Sequence, residues 1–167
     1  MKETSEVTGE LASEAPDVHQ MVGFILNGAL FGVDIFMVQE IIKQMPITGI
    51  PDSPDFIEGV INLRGDIIPV IHLHKRLNLP AEDHPDRKGS WTMIINVGGR
   101  VAGFLVDRVT RVLKVPEDTI QPAREMVLSA LKHHYVRGVC ELDEQLITIL
   151  DFNRILDVNE FKRWRTG

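Results

Sequence analysis

The stretch GVINLRGDIIPVIHLHKRLNL at residues 59–79 decides the fold, because the chain writes it twice. Laid without gaps on GVCELDEQLITILDFNRILDV at residues 138–158, it returns Gly59, Val60, Leu63, Ile68 and Leu77 as Gly138, Val139, Leu142, Ile147 and Leu156. Ile67, Val70, Ile71 and Leu73 stay apolar as Leu146, Ile149, Leu150 and Phe152. Each copy sets two short apolar runs on either side of a polar turn, the pattern of a β-hairpin. A second block repeats upstream: Asn27-Gly28, Gly32, Val38 and Ile41-Ile42 match Gly98-Gly99, Gly103, Val109 and Val112-Leu113 in the same order. Two related units of about 50–60 residues would each be too small for a comfortable core, so packing them together is physically sensible. The competing explanation is chance, since hydrophobic alternation restricts the alphabet.

Working outward, four turns separate apolar runs. Asn27-Gly28, Gly65-Asp66 and Gly98-Gly99 place glycine where a primed hairpin turn needs positive φ; Asp143-Glu144 carries a weaker signal. Helix is expected only in short pieces, near Pro54–Glu58, near Val127–His133 and after Asp151. Asp151 suits an N-cap there, with Phe152, Ile155 and Leu156 along one face. The expected class is therefore mainly β: two small barrels pressed face to face, with a few short helices and a C-terminal helix. The expected division is an acidic tail over 1–17, a body over 18–160 and a short basic end over 161–167. Within the body the two barrel subdomains would meet near residues 90 and 91, strand exchange between them being an open option.

Composition narrows the function. The 167 residues carry 18 basic and 24 acidic side chains, a formal charge of −6, with 44% hydrophobic and 25% charged residues. That is ordinary for a globular chain and argues against a nucleic-acid binder, which shows a basic face. Residues 1–17 hold one lysine against five acids, so the tail reads as mobile and the body as near neutral. No apolar run approaches the roughly 20 residues of a membrane span, and the N-terminus lacks a secretory h-region, so a cytoplasmic location without membrane insertion is expected. Lys162, Arg163 and Arg165 around Trp164 suit a solvated helix end.

Candidates for chemistry are few. The lone Cys140 excludes an internal disulfide and reads as a core thiol rather than a nucleophile, having no cation beside it in sequence. His72 and His74 would share a face if the strand through Ile71 continued, and His84 or His133-His134 could complete a metal site. The spacings match no familiar ligand set, so a histidine-based metal hydrolase is the enzyme alternative and surface histidines the default. No cofactor motif is present. Ile35–Ile42, with Phe36 and Met37, holds more large apolar residues than one strand face can bury. It is either a partner patch or a strand buried on both sides between the barrels. In the repeat, Glu40 aligns with Arg111 and Arg64 with Asp143, so both charges invert together. Either two salt bridges face across the two barrels or four solvated charges fell this way by accident.

Val38-Gln39-Glu40-Ile41, Gly59 to Gly65, Pro69-Val70-Ile71, Gly103 with Val106-Asp107-Arg108-Val109, and Gly138 with Leu146–Asp151 together resemble the CheW family of bacterial chemotaxis. The resemblance runs from about Val22 to Leu156. It implies a pair of five-stranded SH3-like barrels and a non-catalytic adaptor, with no cofactor. Such an adaptor couples methyl-accepting chemotaxis receptors to the regulatory domain of the CheA-type histidine kinase. It also implies a contact region for receptor and kinase at Val38, Glu40, Gly59, Asn62, Arg64 and Gly65. A scaffold of a non-motility chemosensory pathway is the alternative within the family. Where the family commonly has Asp after Pro-Val-Ile, this chain has His72, while the repeat counterpart Asp151 keeps the acid. An acid there could cap the following turn, and a histidine would make that cap weaker or pH-sensitive.

Overall fold

The computed structural model describes residues 17–43, 45–79, 90–122 and 133–156. Ten strands occupy these residues: β1 (Val18–Leu26), β2 (Ala29–Asp34), β3 (Val38–Lys43), β4 (Ile57–Leu63), β5 (Asp66–His72), β6 (Trp91–Val97), β7 (Arg100–Val106), β8 (Arg108–Pro116), β9 (Val136–Leu142) and β10 (Gln145–Leu150). Two one-turn helices, α1 (Leu73–Arg76) and α2 (Phe152–Ile155), follow β5 and β10. The sequence repeat is the structural repeat: β1–β5 with α1 corresponds to β6–β10 with α2.

The strands form two five-stranded sheets, ordered β3-β6-β7-β5-β4 and β8-β1-β2-β10-β9. The first hairpin of each repeat, β1–β2 or β6–β7, thus joins the last three strands of the other repeat. Each sheet draws strands from both sides of residue 90, so that boundary does not separate them. Each sheet closes through the segment that follows its edge strand. Thr48, beyond β3, exchanges backbone hydrogen bonds of 2.9 and 2.8 Å with Val60 of β4. Gln121, beyond β8, does the same with Val139 of β9 at 2.8 Å. Pairing the edges removes open N–H and C=O rows that would otherwise template aggregation. We call the sheet holding β3 the first barrel and the sheet holding β8 the second.

The exchange explains where the core sits. The largest cluster of buried residues lies between the barrels, with Phe24, Phe31 and Val33 of the second meeting Met93, Ile95 and Phe104 of the first, and Leu73, Leu77, Phe152 and Leu156 of the helices filling in. Smaller clusters fill each barrel: Met21, Leu113, Val115 and Ile147 in the second, and Ile61, Ile68, Val70 and Ile94 in the first. The β6 and β7 hairpin is therefore buried on both faces for most of its length, and its sequence is apolar almost throughout rather than alternating.

Local expectations fared unevenly. The turns at Asn27-Gly28, Gly98-Gly99 and Asp143-Glu144 stand where expected. The remaining turn, second in chain order, is Arg64-Gly65, one residue before the expected Gly65-Asp66, with φ of 53° and 90°. Asn62 Oδ1 accepts from the Gly65 N–H at 3.0 Å, closing the turn early and leaving Asp66 to pair with Leu63 in the ladder. Pro54–Glu58 forms a turn that runs into β4, not a helix, because Ile57 and the residues after it are drawn into the ladder with β5. The expected helix at Val127–His133 falls outside the described residues except at His133, which begins a 3-10 turn. The helix after Asp151 is present, with Asp151 Oδ1 accepting from Asn153 N–H at 3.0 Å. The strand through Ile71, whose continuation was the condition for His72 and His74 to share a face, ends at His72, and α1 follows. Leu73, His74, Arg76 and Leu77 are all buried there, a set that mixes both faces of a strand and that one helical turn packed on the core accommodates.

Candidate functional site

The two barrel seams carry the inverted charges. Glu40 lies on β3 and Arg64 on the β4–β5 turn, and these strands are the two edges of the first barrel. Arg64 donates from Nη1 to Glu40 Oε2 and from Nη2 to Oε1, both at 2.6 Å. This parallel two-bond fork fixes the guanidinium plane as well as its position. The arginine side chain is 70% exposed and the glutamate 20%, so the acid anchors the seam and the cation faces outward. The Arg64 hydrogen bonds hold the Glu40 carboxyl below the ordinary glutamate range. The carboxylate in turn raises Arg64.

In the second barrel Arg111 of β8 points its Nη2 at Asp143 Oδ2 of the β9–β10 turn, at 3.5 Å and with both side chains largely exposed. Asp143 has φ of 52°, nearly the Arg64 value, so the two charges occupy the same turn position with opposite sign. The pairing is therefore doubled, but the second copy is looser. Exposed aliphatics are doubled too: Ile41 and Ile67 in the first barrel match Val112 and Leu146 in the second.

The other candidate residues divide into surface and support. Asn62 is exposed and its side chain closes the turn that presents Arg64. Gly65 is exposed at φ of 90°, a left-handed position that suits glycine. Val38 is half-buried against the core between the barrels. Gly59 is buried with φ of 151°, and a Cβ there would stand 2.1 Å from the Thr48 carbonyl oxygen. Its contribution is to let residues 47–48 lie against β4, which closes the first barrel behind Arg64. Ile35–Met37 is a 3-10 turn, capped by Asp34, whose Oδ1 accepts from Phe36 N–H at 2.9 Å. Phe36 on that turn is 91% exposed, so this segment is not the doubly buried strand that was one of its two readings.

The histidines do not assemble. His72 and His74 lie on different elements with ring centroids 5.2 Å apart. His84 falls outside the described residues, and His134 is exposed against Tyr135. Among the described residues no group of three or more His, Cys, Asp or Glu is placed to hold a metal ion. Cys140 is buried, and desolvation pushes its thiol pKa up, which suits core packing rather than nucleophilic chemistry. The basic end at 161–167 and residues 1–16 of the tail lie outside the described residues.

Sequence reasoning missed the ties between the barrels. Buried Arg76 of α1 donates from Nε and Nη2 to the Ile155 carbonyl of α2 at 3.1 and 2.8 Å. Ile155 is the repeat counterpart of Arg76, so equivalent positions meet across the approximate two-fold axis. His74 Nε2 stands 3.2 Å from Asp107 Oδ1, and Asp107 Oδ2 accepts from the Asn27 N–H of the β1–β2 turn at 2.9 Å. Near the start of the described chain, His19 and Arg137 both pair with Glu117. The signal for α1 was available: carrying the Asp151 cap back through the repeat places a helix after His72.

A CheW-like domain model matches residues 20–160. The chain is 33% identical over 147 residues to the chemotaxis protein CheW of Treponema pallidum, covering 86% of this chain and 85% of that protein. It is 33% identical over 156 residues to the chemotaxis protein CheW of Klebsiella aerogenes, covering 93% and 89%. Among solved structures, the scaffolding protein TtCheW of Thermoanaerobacter tengcongensis superposes with a TM-score of 0.76 at 37% identity, over 88% of this chain and 93% of that one.

Proposed function

Because this chain belongs to the CheW family, whose members are non-catalytic scaffolding proteins of chemotaxis, we propose that it couples methyl-accepting chemotaxis receptors to the regulatory domain of a CheA-type histidine kinase. It does so in the cytoplasm, at the inner face of receptor clusters. One barrel surface holds the kinase domain while the surface around Arg64 takes the receptor's helical tip. The signal passes as a shift in the population of that ternary assembly.

The observation that carries this reading is the Arg64 rim. A guanidinium fixed by Glu40 yet 70% exposed, with Ile41 exposed on β3 and Ile67 on β5, combines a directed charge with apolar surface. That combination is what a specific protein contact uses. Phe36, on the turn leading into β3, adds a further exposed aromatic, a residue type that dominates interface energetics. Asn62 and Gly65 shape the turn, Gly59 lets residues 47–48 close the barrel behind it, and Val38 lies on β3 against the core between the barrels. Among the described residues no helix is long and apolar enough to cross a membrane.

The test is calorimetric titration with the regulatory domain of the same organism's chemotaxis kinase, using wild type and Arg64→Glu. Saturable one-to-one binding by the wild type is expected. An affinity loss of at least roughly tenfold in the variant would place Arg64 at the kinase contact, since reversing a contact charge costs at least this much. Unchanged binding by the variant would assign Arg64 to the receptor. Neither heat nor co-elution with the wild type would overturn coupling to this kinase.

A further inference from the structure

We infer that His72 is a proton-operated cap on α1, through which pH reaches the joint between the two barrels. The comparison is internal to the chain. At the end of β10, Asp151 caps α2 with a carboxylate that accepts from Asn153 N–H at 3.0 Å. At the same place in the other repeat, His72 caps α1 through Nδ1, which accepts from Lys75 N–H at 3.4 Å. A carboxylate accepts at any pH above its own titration. An imidazole accepts at Nδ1 only while neutral with its proton on Nε2; protonated, both nitrogens are donors. Unperturbed histidine changes charge near pH 6.5, inside the physiological range, whereas aspartate does so near 3.9. The two caps are equivalent in position and differ in pH response.

The surroundings give the protonated ring somewhere to go. Glu58 of β4 places Oε1 4.0 Å from His72 Nε2, and the same oxygen lies 3.9 Å from Lys75 Nζ. Lys75 also reaches Asp55 of the turn before β4 at 3.7 Å. Among the described residues His74 is a further titratable neighbour, its ring 5.2 Å from that of His72 and its Nε2 3.2 Å from Asp107 Oδ1. Above its titration His72 accepts from the α1 backbone; below it, the ring turns to Glu58 and competes with Lys75 for that carboxylate. Glu58 favours the charged ring and Lys75 opposes it.

The location gives the switch its consequence. α1 is one turn long and carries both ties to the second barrel, Arg76 on the Ile155 carbonyl and His74 on Asp107. Releasing its cap loosens a segment that bridges the barrels beside their shared core. This inference does not depend on which partners the barrels bind.

The experiment is NMR of the whole chain between pH 8 and 5, following the Lys75 and Asn153 amides and the His72 and His74 rings. The Lys75 amide is expected to shift with the His72 ring midpoint and to lose protection against exchange roughly two- to fivefold, the low end for a lost cap. The Asn153 amide stays flat over the same range. His72→Asp and His72→Asn, which supply acceptors that do not titrate there, should each leave Lys75 flat. A wild-type Lys75 amide that does not titrate overturns the inference. So does one that still titrates in either variant, because the proton is then on His74.

Discussion

Arg76→Met removes the tie between the helices while keeping most of the aliphatic stem, which makes its cost calculable. Arg76 is 4% exposed and sits on the Ile155 carbonyl with two donors. Its guanidinium lies 4.3 Å from the Phe56 ring centroid and 5.0 Å from that of Tyr135. Hydrogen bonding by a charged group contributes about 1.5–3 kcal/mol, and a buried carbonyl deprived of its donor costs about 1–3 kcal/mol, two views of largely the same loss. Cation–π contact in a desolvated site adds about 1–2 kcal/mol. Against these, methionine avoids part of the several kcal/mol spent in burying a cation. The net expectation is a destabilisation of about 2–3 kcal/mol, or roughly 5–10 °C in Tm for a chain of this size. Differential scanning calorimetry with urea titration measures it, with Lys75→Met as control. Lys75 is half-exposed and makes only long ion pairs, so its loss should stay within about 0.5 kcal/mol. If Arg76→Met melts within about 1 °C of wild type, the tie contributes nothing and the barrels are held by apolar packing alone.

Three further outcomes follow from particular contacts. Gly59→Ala should cost about 2–4 kcal/mol by chemical denaturation, because its Cβ meets the Thr48 carbonyl oxygen at 2.1 Å and φ is strained for any side chain; Gly138→Ala, at 2.7 Å from the Gln121 carbonyl oxygen, should cost less. The Glu40 carboxyl should titrate below ordinary glutamates by carbon-detected NMR and return to their range in Arg64→Ala, since the Arg64 hydrogen bond is the main cause of its depression. With the folded pKa depressed, the pair's contribution is present above the unfolded glutamate pKa and disappears as pH falls through the folded one. Cys140 should react with an aromatic disulfide reagent at pH 8 far more slowly in the native protein than in urea, its thiol being buried and raised in pKa; equal rates would mean that it is accessible.

How much was legible in the sequence varies with the range of the interactions involved. The hairpins could be read because a two-residue turn and its flanking apolar runs are local, and Asn27-Gly28 and Gly98-Gly99 need glycine whatever surrounds them. The Arg64 turn was misplaced by one residue because Asn62 folds its own side chain back onto the Gly65 N–H, an option that spacing alone does not distinguish from a turn centred one residue later. The Glu40–Arg64 and Arg111–Asp143 pairs became visible only by comparing the two repeats, since each pair joins strands that are far apart in sequence.

By itself, then, the sequence determined the hairpins, the twofold repeat, the mainly β class and the residues that sit at the seams, all carried by local periodicity and by matches at a constant spacing. Only the tertiary structure decided which hairpin enters which sheet. Apolar strands pair with any neighbour of like pattern, and the choice is made by packing. Exchanging β1–β2 for β6–β7 buries one face of these hairpins in the core between the barrels and the other in the smaller cores inside them. The same packing brought Arg76 to Ile155 and His74 to Asp107. Those contacts exist because the repeats face each other, a relation that the one-dimensional order of residues does not contain.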